Sequence, residues 1–228
     1  MKISIIILFL SSCALLGPKA PLTSPQLITG GSDISNLSSD EVAKQLTRDT
    51  TMGGGIFELQ ATPLSKALMN QRWQELSSSR AYSPKDLAKT KSWHMSRFID
   101  KKTCVDFHYS VTRFEQTKFL ANWKLILELE GEQYEMNWLE QPAAESIFVS
   151  QVATPTHMAR KWHNQAIACT STELPIERGF TLKVLSNYVP WPFSSEARME
   201  WFFQPLTKED EAALIERQKK KQQKYRGW

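Results

Sequence analysis

The stretch from Phe119 to Trp138 constrains this chain more than any other. Phe119, Ala121, Trp123, Leu125, Leu127 and Leu129 alternate with Asn122, Lys124, Glu128 and Glu130, with Leu120 and Ile126 as exceptions. A period of two sets the apolar residues on one face, so the segment reads as a strand with one buried and one wet side. Glu130-Gly131-Glu132 supplies a tight turn, and Tyr134, Met136 and Trp138 resume the alternation. Residues 119–138 are therefore predicted to form a β-hairpin. A lone hairpin is marginal in water, so it calls for further strands.

Those strands are predicted at Val105–Val111, Ser146–Val152, Phe180–Leu185 and Arg198–Phe203. Thr156–Thr170 is ambiguous: Ala166-Ile167-Ala168-Cys169 reads as extended, whereas Met158, Ala159 and Trp162 suit a helix. Strands without a βαβ rhythm point to antiparallel pairing. The expected fold is mostly β with helical additions: an antiparallel β-sandwich over 93–205. A helical lead-in is expected over 56–92, with one helix from Pro63 to about Leu76 capped by Thr62, and a shorter one from Ser83. Residues 13–55 read as a flexible tether, rich in Gly, Pro and Ser, with a short helix capped by Ser39 and a glycine link at Gly53-Gly54-Gly55. Residues 206–228 read as a charged C-terminal helix opening on Thr207-Lys208-Glu209-Asp210.

The N-terminus carries an address. Met1-Lys2 precedes the apolar run Ile3–Leu10, and small residues Ser11-Ser12 follow. This order of charge, apolar run and small residues is that of a secretory signal peptide, here over 1–12. The apolar run falls well short of the ~20 residues that span a bilayer. Leu10-Ser11-Ser12-Cys13 resembles the lipobox of bacterial lipoproteins. The resemblance covers only about the first thirteen residues and implies nothing about the folded body. It implies cleavage before Cys13, a diacylglyceryl thioether on its sulfur and an acyl chain on the new amino group. Several chains hold a protein on a membrane where a single one binds reversibly. In the lipoproteins this resembles, an Asp after the lipidated Cys retains the protein at the inner membrane. Ala14 therefore implies the outer membrane, facing the periplasm.

Roughly 215 residues remain after the signal, enough for one sizeable domain or two small ones. The net charge of +4 is small and dispersed, which argues against a nucleic-acid partner. With Cys13 taken by lipid, Cys104 and Cys169 are left as an even pair in an oxidising compartment. A Cys104–Cys169 disulfide is the preferred reading, and two thiols packed as small apolar side chains is the alternative.

The motifs of chemistry are weak. Cys104, Asp106 and His108 share one face of a strand, but Cys104 and His108 would be ~13 Å apart, too far for nucleophile and base. Glu128 and Glu130 resemble a glycosidase pair in spacing alone, on the wet face of a hairpin. His94, His108, His157 and His163 form no ligand run. No catalytic residue, metal site or cofactor is assigned. Eight tryptophans are the unusual feature. Trp123, Trp138 and Trp201 fit core positions. In Tyr188-Val189-Pro190-Trp191-Pro192-Phe193, prolines flank Trp191 and exclude a central strand. Tyr188, Trp191 and Phe193 are accordingly the candidate partner-binding residues. The function expected is that of an envelope lipoprotein binding a protein or glycan partner without catalysis. An envelope hydrolase acting on peptidoglycan or polysaccharide is the alternative.

Overall fold

The computed structural model describes residues 23–31, 34, 36–79, 83–111, 123–140, 148–153, 158–187, 189 and 192–204, with 208 and 212 as isolated positions. Four helices occur among them: α1 (Gln26–Thr29), α2 (Ser39–Leu46), α3 (Lys66–Ser79) and α4 (Pro84–Phe98). Nine strands follow the order β1 (Arg48–Met52), β2 (Phe57–Pro63), β3 (Cys104–Val111), β4 (Trp123–Leu129), β5 (Glu132–Glu140), β6 (Phe148–Ala153), β7 (Met158–Cys169), β8 (Phe180–Ser186) and β9 (Glu196–Trp201). The expectation of antiparallel β with helical additions is met.

Every ladder is antiparallel, and the strands run in one connected order, β1-β2-β3-β7-β5-β4-β8-β9. The twelve-residue β7 is the hub. One edge pairs with β3 along Trp162–Cys169. The other edge is shared: β5 takes Ile167–Cys169 and β6 takes Met158–His163. The two ends of the order meet, because β9 lies against β1. The Trp201 indole N–H donates to the Leu46 carbonyl at 2.5 Å. Arg48 donates to the Glu200 carbonyl and to the Thr23 hydroxyl.

Alternation supplies the core. Phe57, Leu59 and Ala61 of β2, Val105, Phe107, Tyr109 and Val111 of β3, and Trp123, Leu125, Leu127 and Leu129 of β4 are all buried. Leu182 and Val184 of β8 and Met199 and Trp201 of β9 complete that interior. Each such side chain stabilises by roughly 1.5–3 kcal/mol on leaving water. Trp201 and Phe180 are cross-strand partners whose rings stack 4.4 Å apart. Trp123 and Trp201 thus occupy the core as expected, with Trp138 packed against it and half-buried. The β4–β5 turn places Glu130 and Gly131 at φ 52° and 87°, the doubly left-handed pair that a two-residue hairpin requires.

Several boundaries differ from the sequence reading. Arg48–Met52 and Phe57–Pro63 are strands of the sheet, where tether and helical lead-in were expected. Gly53-Gly54-Gly55 is their hairpin turn, with all three at positive φ, and not a flexible link. Leu27, Ile28 and Ile34 are buried, so the described part of the expected tether packs on the body. Pro63 ends β2, and α3 starts later, with the Ser65 hydroxyl accepting from the Leu68 N–H. Ser38, not Ser39, caps α2 in a reciprocal pair with Glu41, while Ser39 donates to Glu75 of α3. Helix α4 runs on to Phe98, so the change to a period of two comes at Cys104 and not at Trp93. Within the ambiguous 156–170 segment, Met158–Cys169 is extended as β7. Of the predicted C-terminal helix, Lys208 and Ala212 are helical and the remainder lies outside the described residues. Among the described residues no helix is long and apolar enough to cross a membrane.

Cys104 and Cys169 are directly paired across β3 and β7 and form a disulfide with a sequence separation of 65. Reducing it, or substituting both by Ala, is expected to lower unfolding free energy by about 4 kcal/mol through the larger freedom of the open chain. Urea unfolding with and without reductant measures this.

Candidate functional site

Residues on β3 alternate between the core and a polar face. Asp106, His108 and Ser110 lie on that face, beside Thr62, Gln60 and Glu58 of β2 and Ile167, Gln165 and His163 of β7. Asp106 is buried and accepts from the Gln165 amide at 2.7 Å, and His108 Nε2 lies 3.3 Å from the same Oδ1. The Ser110 hydroxyl donates to Glu58 at 2.9 Å. Asp106 therefore orients a half-exposed imidazole. The sulfur of the fourth residue of this parity, Cys104, is held in the disulfide, so it cannot supply the thiolate that nucleophilic attack needs.

The other sequence candidates separate. Glu128 is ion-paired with Lys183 of the neighbouring β8, and the Lys183 hydrogen bond holds its carboxyl below the usual range. Glu130 pairs with Arg178 at 3.3 Å. Glu128 is therefore not set up as the proton donor of a glycosidase pair, which needs a raised pKa. His94 packs edge-on among Trp73, Trp93 and Phe98, whereas His157 lies outside the described residues. No cluster of three or more His, Cys, Asp or Glu suited to a metal occurs among the described residues. Cys13, Tyr188 and Trp191 also lie outside them.

Phe193 is described, and it is 49 % exposed. Its ring rests on the β1–β2 turn: a Cβ at Gly54 would lie 2.7 Å from the Phe193 Cε1 atom. Val189 packs similarly over Gly53. The glycine turn is thus the seat for the β8–β9 connection, which lies between strands as the prolines predicted.

A cleft among the described residues was not anticipated. A cleft of about 230 Å³ opens between the end of α1, the start of α3, the segment after α4, and residues 173–177. Its walls include apolar Ile28, Leu64, Ile99 and Leu174, with Lys66, Lys102, Glu173 and Glu177 around them. Backbone pairing next to the disulfide builds it. Thr170 N–H donates to the Thr103 carbonyl, the Thr103 N–H donates to the Thr170 hydroxyl, and the Leu174 N–H donates to the Thr103 hydroxyl. Lys66 and Glu173 pair at 3.4 Å. Burial pushes the Glu177 carboxyl above its ordinary pKa; its own backbone N–H, then Arg178, oppose the rise, while Glu173 adds to it. A buried acid in a cleft can donate a hydrogen bond when neutral. Its segments lie far apart in sequence, and no motif signals them.

Comparison with protein-family models, with curated proteins and with solved structures finds no match.

A raised carboxyl pKa means that the folded state holds its proton to higher pH than the unfolded chain does. Glu177 therefore contributes instability that grows as pH rises from the ordinary glutamate value of about 4.3. Glu177→Gln is expected to melt above wild type at neutral pH, with the gap closing near pH 4. Thermal melts across that range check the sign.

Proposed function

We propose that this chain is a lipid-anchored protein of the bacterial envelope, held through Cys13 and most consistent with the outer membrane facing the periplasm. In this reading it binds a protein or glycan partner without catalysis. The Cys104–Cys169 disulfide carries the proposal. It gives the two remaining cysteines a role suited to an oxidising compartment, in keeping with the lipobox-like Leu10-Ser11-Ser12-Cys13.

The layout of the body supports a binding role. Thr23, the first described residue, bonds to Arg48 at one end of β1. The Gly54 turn that seats Phe193 lies at the other end of that strand. A tether would thus enter at one end and leave the Phe193 loop at the opposite end, turned towards a partner. We also read the sheet as a barrel-like roll in preference to a sandwich of two separate sheets. The unbroken strand order and the meeting of β1 with β9 support that closure.

Glu177 favours a second reading, an envelope hydrolase acting on peptidoglycan or polysaccharide. It would supply a carboxyl with a raised pKa beside Glu173. Two observations rank it lower. Glu173 is engaged by Lys66, and the cleft, at about 230 Å³, is smaller than the roughly 300–1,000 Å³ typical of ligand pockets.

Labelled palmitate supplied to cells is expected to enter wild type and not Cys13→Ala; wild type without label refutes the anchor. Phe193→Ala is expected to keep the wild-type melting temperature, because its ring is half in solvent, and to weaken capture of envelope partners by about tenfold or more if Phe193 is an anchoring aromatic. Unchanged capture, measured by in-cell crosslinking, removes Phe193 from the site.

A further inference from the structure

Helix α4 contributes little to the core. Of its fifteen residues, Phe98 is the buried one. Ser83 caps it through the Asp86 N–H, and Pro84 occupies its first turn, so its start is written in its own sequence. Lys85, Lys89, Trp93 and Arg97 recur at intervals of four, which aligns them along one ridge of the helix. Lys85, Lys89 and Trp93 are exposed, Trp93 at 50 %. The Arg97 guanidinium sits 4.7 Å from the Trp93 ring centroid. Lys91 is exposed beside the ridge.

The segment around α4 is locally basic. Between Ser83 and Thr103 six basic residues (Lys85, Lys89, Lys91, Arg97, Lys101, Lys102) face two acidic ones (Asp86, Asp100), a difference of +4. Cations around an exposed, guanidinium-stacked indole match a membrane surface: indoles settle at the headgroup layer, and lysines meet anionic phosphates.

We propose that α4 seats on an anionic phospholipid leaflet through the Lys85–Lys89–Trp93–Arg97 ridge, as the second contact of a protein whose first is the lipid on Cys13. The proposal rests on the anchor for its location, not for its chemistry. Reach agrees. Ten residue steps from Cys13 to Thr23 span at most ~35 Å. The segment that Thr23 opens continues to Ile28 and Thr29, which line the same cleft as Ile99 and Lys102, just beyond α4. The tether and α4 thus converge on one end of the body. A single acyl chain binds a membrane only reversibly, and a basic patch is one of the second signals that make such binding firm.

The test uses a chain beginning at position 13 with Cys13→Ser, which keeps every contact described above and carries no lipid. It is sedimented with vesicles of phosphatidylcholine alone, or with about 30 % phosphatidylglycerol, at low salt. The triple variant Lys85→Gln, Lys89→Gln, Lys91→Gln is expected to lower partitioning onto anionic vesicles by about a hundredfold, roughly fivefold per lysine, and to leave phosphatidylcholine unaffected. Trp93→Ala is expected to weaken partitioning several-fold on the anionic vesicles. Circular dichroism verifies that each variant folds, which exposed positions favour. Partitioning of the triple variant equal to the parent overturns the proposal. So does a lysine effect on binding of soluble polyglutamate with none on vesicles, which would assign the ridge to an acidic protein. Absent palmitate on wild type together with an intact lysine effect retires the anchor and keeps α4; the converse retires α4 alone.

Discussion

The pairing of β3 with β7, pinned by Cys104–Cys169, is the constraint on which the rest depends. Eight consecutive pairs run from Cys104↔Cys169 to Val111↔Trp162. A slip of one residue would turn Phe107 and Tyr109 outward and drive Asp106 and His108 into the core. The covalent bond sits at one end of this ladder, so it fixes register as well as opposing unfolding. From β7 the pairing spreads to β5 and β6, and through β5 to β4, β8 and β9. On the other side it reaches β2 and β1. The residues just outside the bond, Thr103 and Thr170, continue the hydrogen bonding into the cleft. One covalent link therefore sets both the sheet and the one concave site described.

This dependence explains where acidity is perturbed. Carboxylates on the outer ladders lie beside cations: Glu128 with Lys183, Glu130 with Arg178, Glu196 with Arg198. The exposed Glu130–Arg178 pair contributes little to stability. Glu177 is different because its segment is drawn inward by Thr103 and by the short 3₁₀ turn Ile176–Arg178. Burial outweighs the partial compensation from Arg178 and Lys66. A group held at such a cost without an answering ion pair of its own is where a ligand would change the balance most, whether it binds or reacts there.

Legibility in the sequence followed how local each determinant is. The β4–β5 hairpin was readable because its turn and its alternation lie within twenty residues, and Glu130-Gly131 encodes the turn chemically. The disulfide followed from the cysteine count and the expected oxidising compartment. Strands β1 and β2 were missed because Arg48-Asp49-Thr50-Thr51 is polar and the following glycines resemble a linker; their positive φ values become meaningful only with Met52 and Phe57 paired. In β7, Met158, Ala159 and Trp162 imitate helical spacing, yet ladders on both edges decide the matter, as strand formation depends on neighbours more than on intrinsic preference. The cleft joins Leu64, Thr103 and Leu174, and no window of sequence contains all three.

The two ends of β2 carry different chemistry, and that asymmetry bears on how such a body would work at a surface. Phe57 adjoins the Gly54 turn and Phe193, whereas Pro63 leads directly into Leu64 of the cleft and thence to α3. Seven strand residues separate them, a span of roughly 20 Å. Thr23, Phe203 and Arg48 gather at the Pro63 end, since Arg48 is paired with Ala61. The basic ridge of α4 leads to that end as well, through Ile99. Between the two ends run β2, β3 and β7, with buried side chains and continuous ladders and no described hinge. Such a block holds the exposed Phe193 at a fixed height above whatever the opposite end rests on. Under the proposed anchor, the chain before Thr23 would set how far the block can roam, and the proposed seating of α4 would set which way it faces.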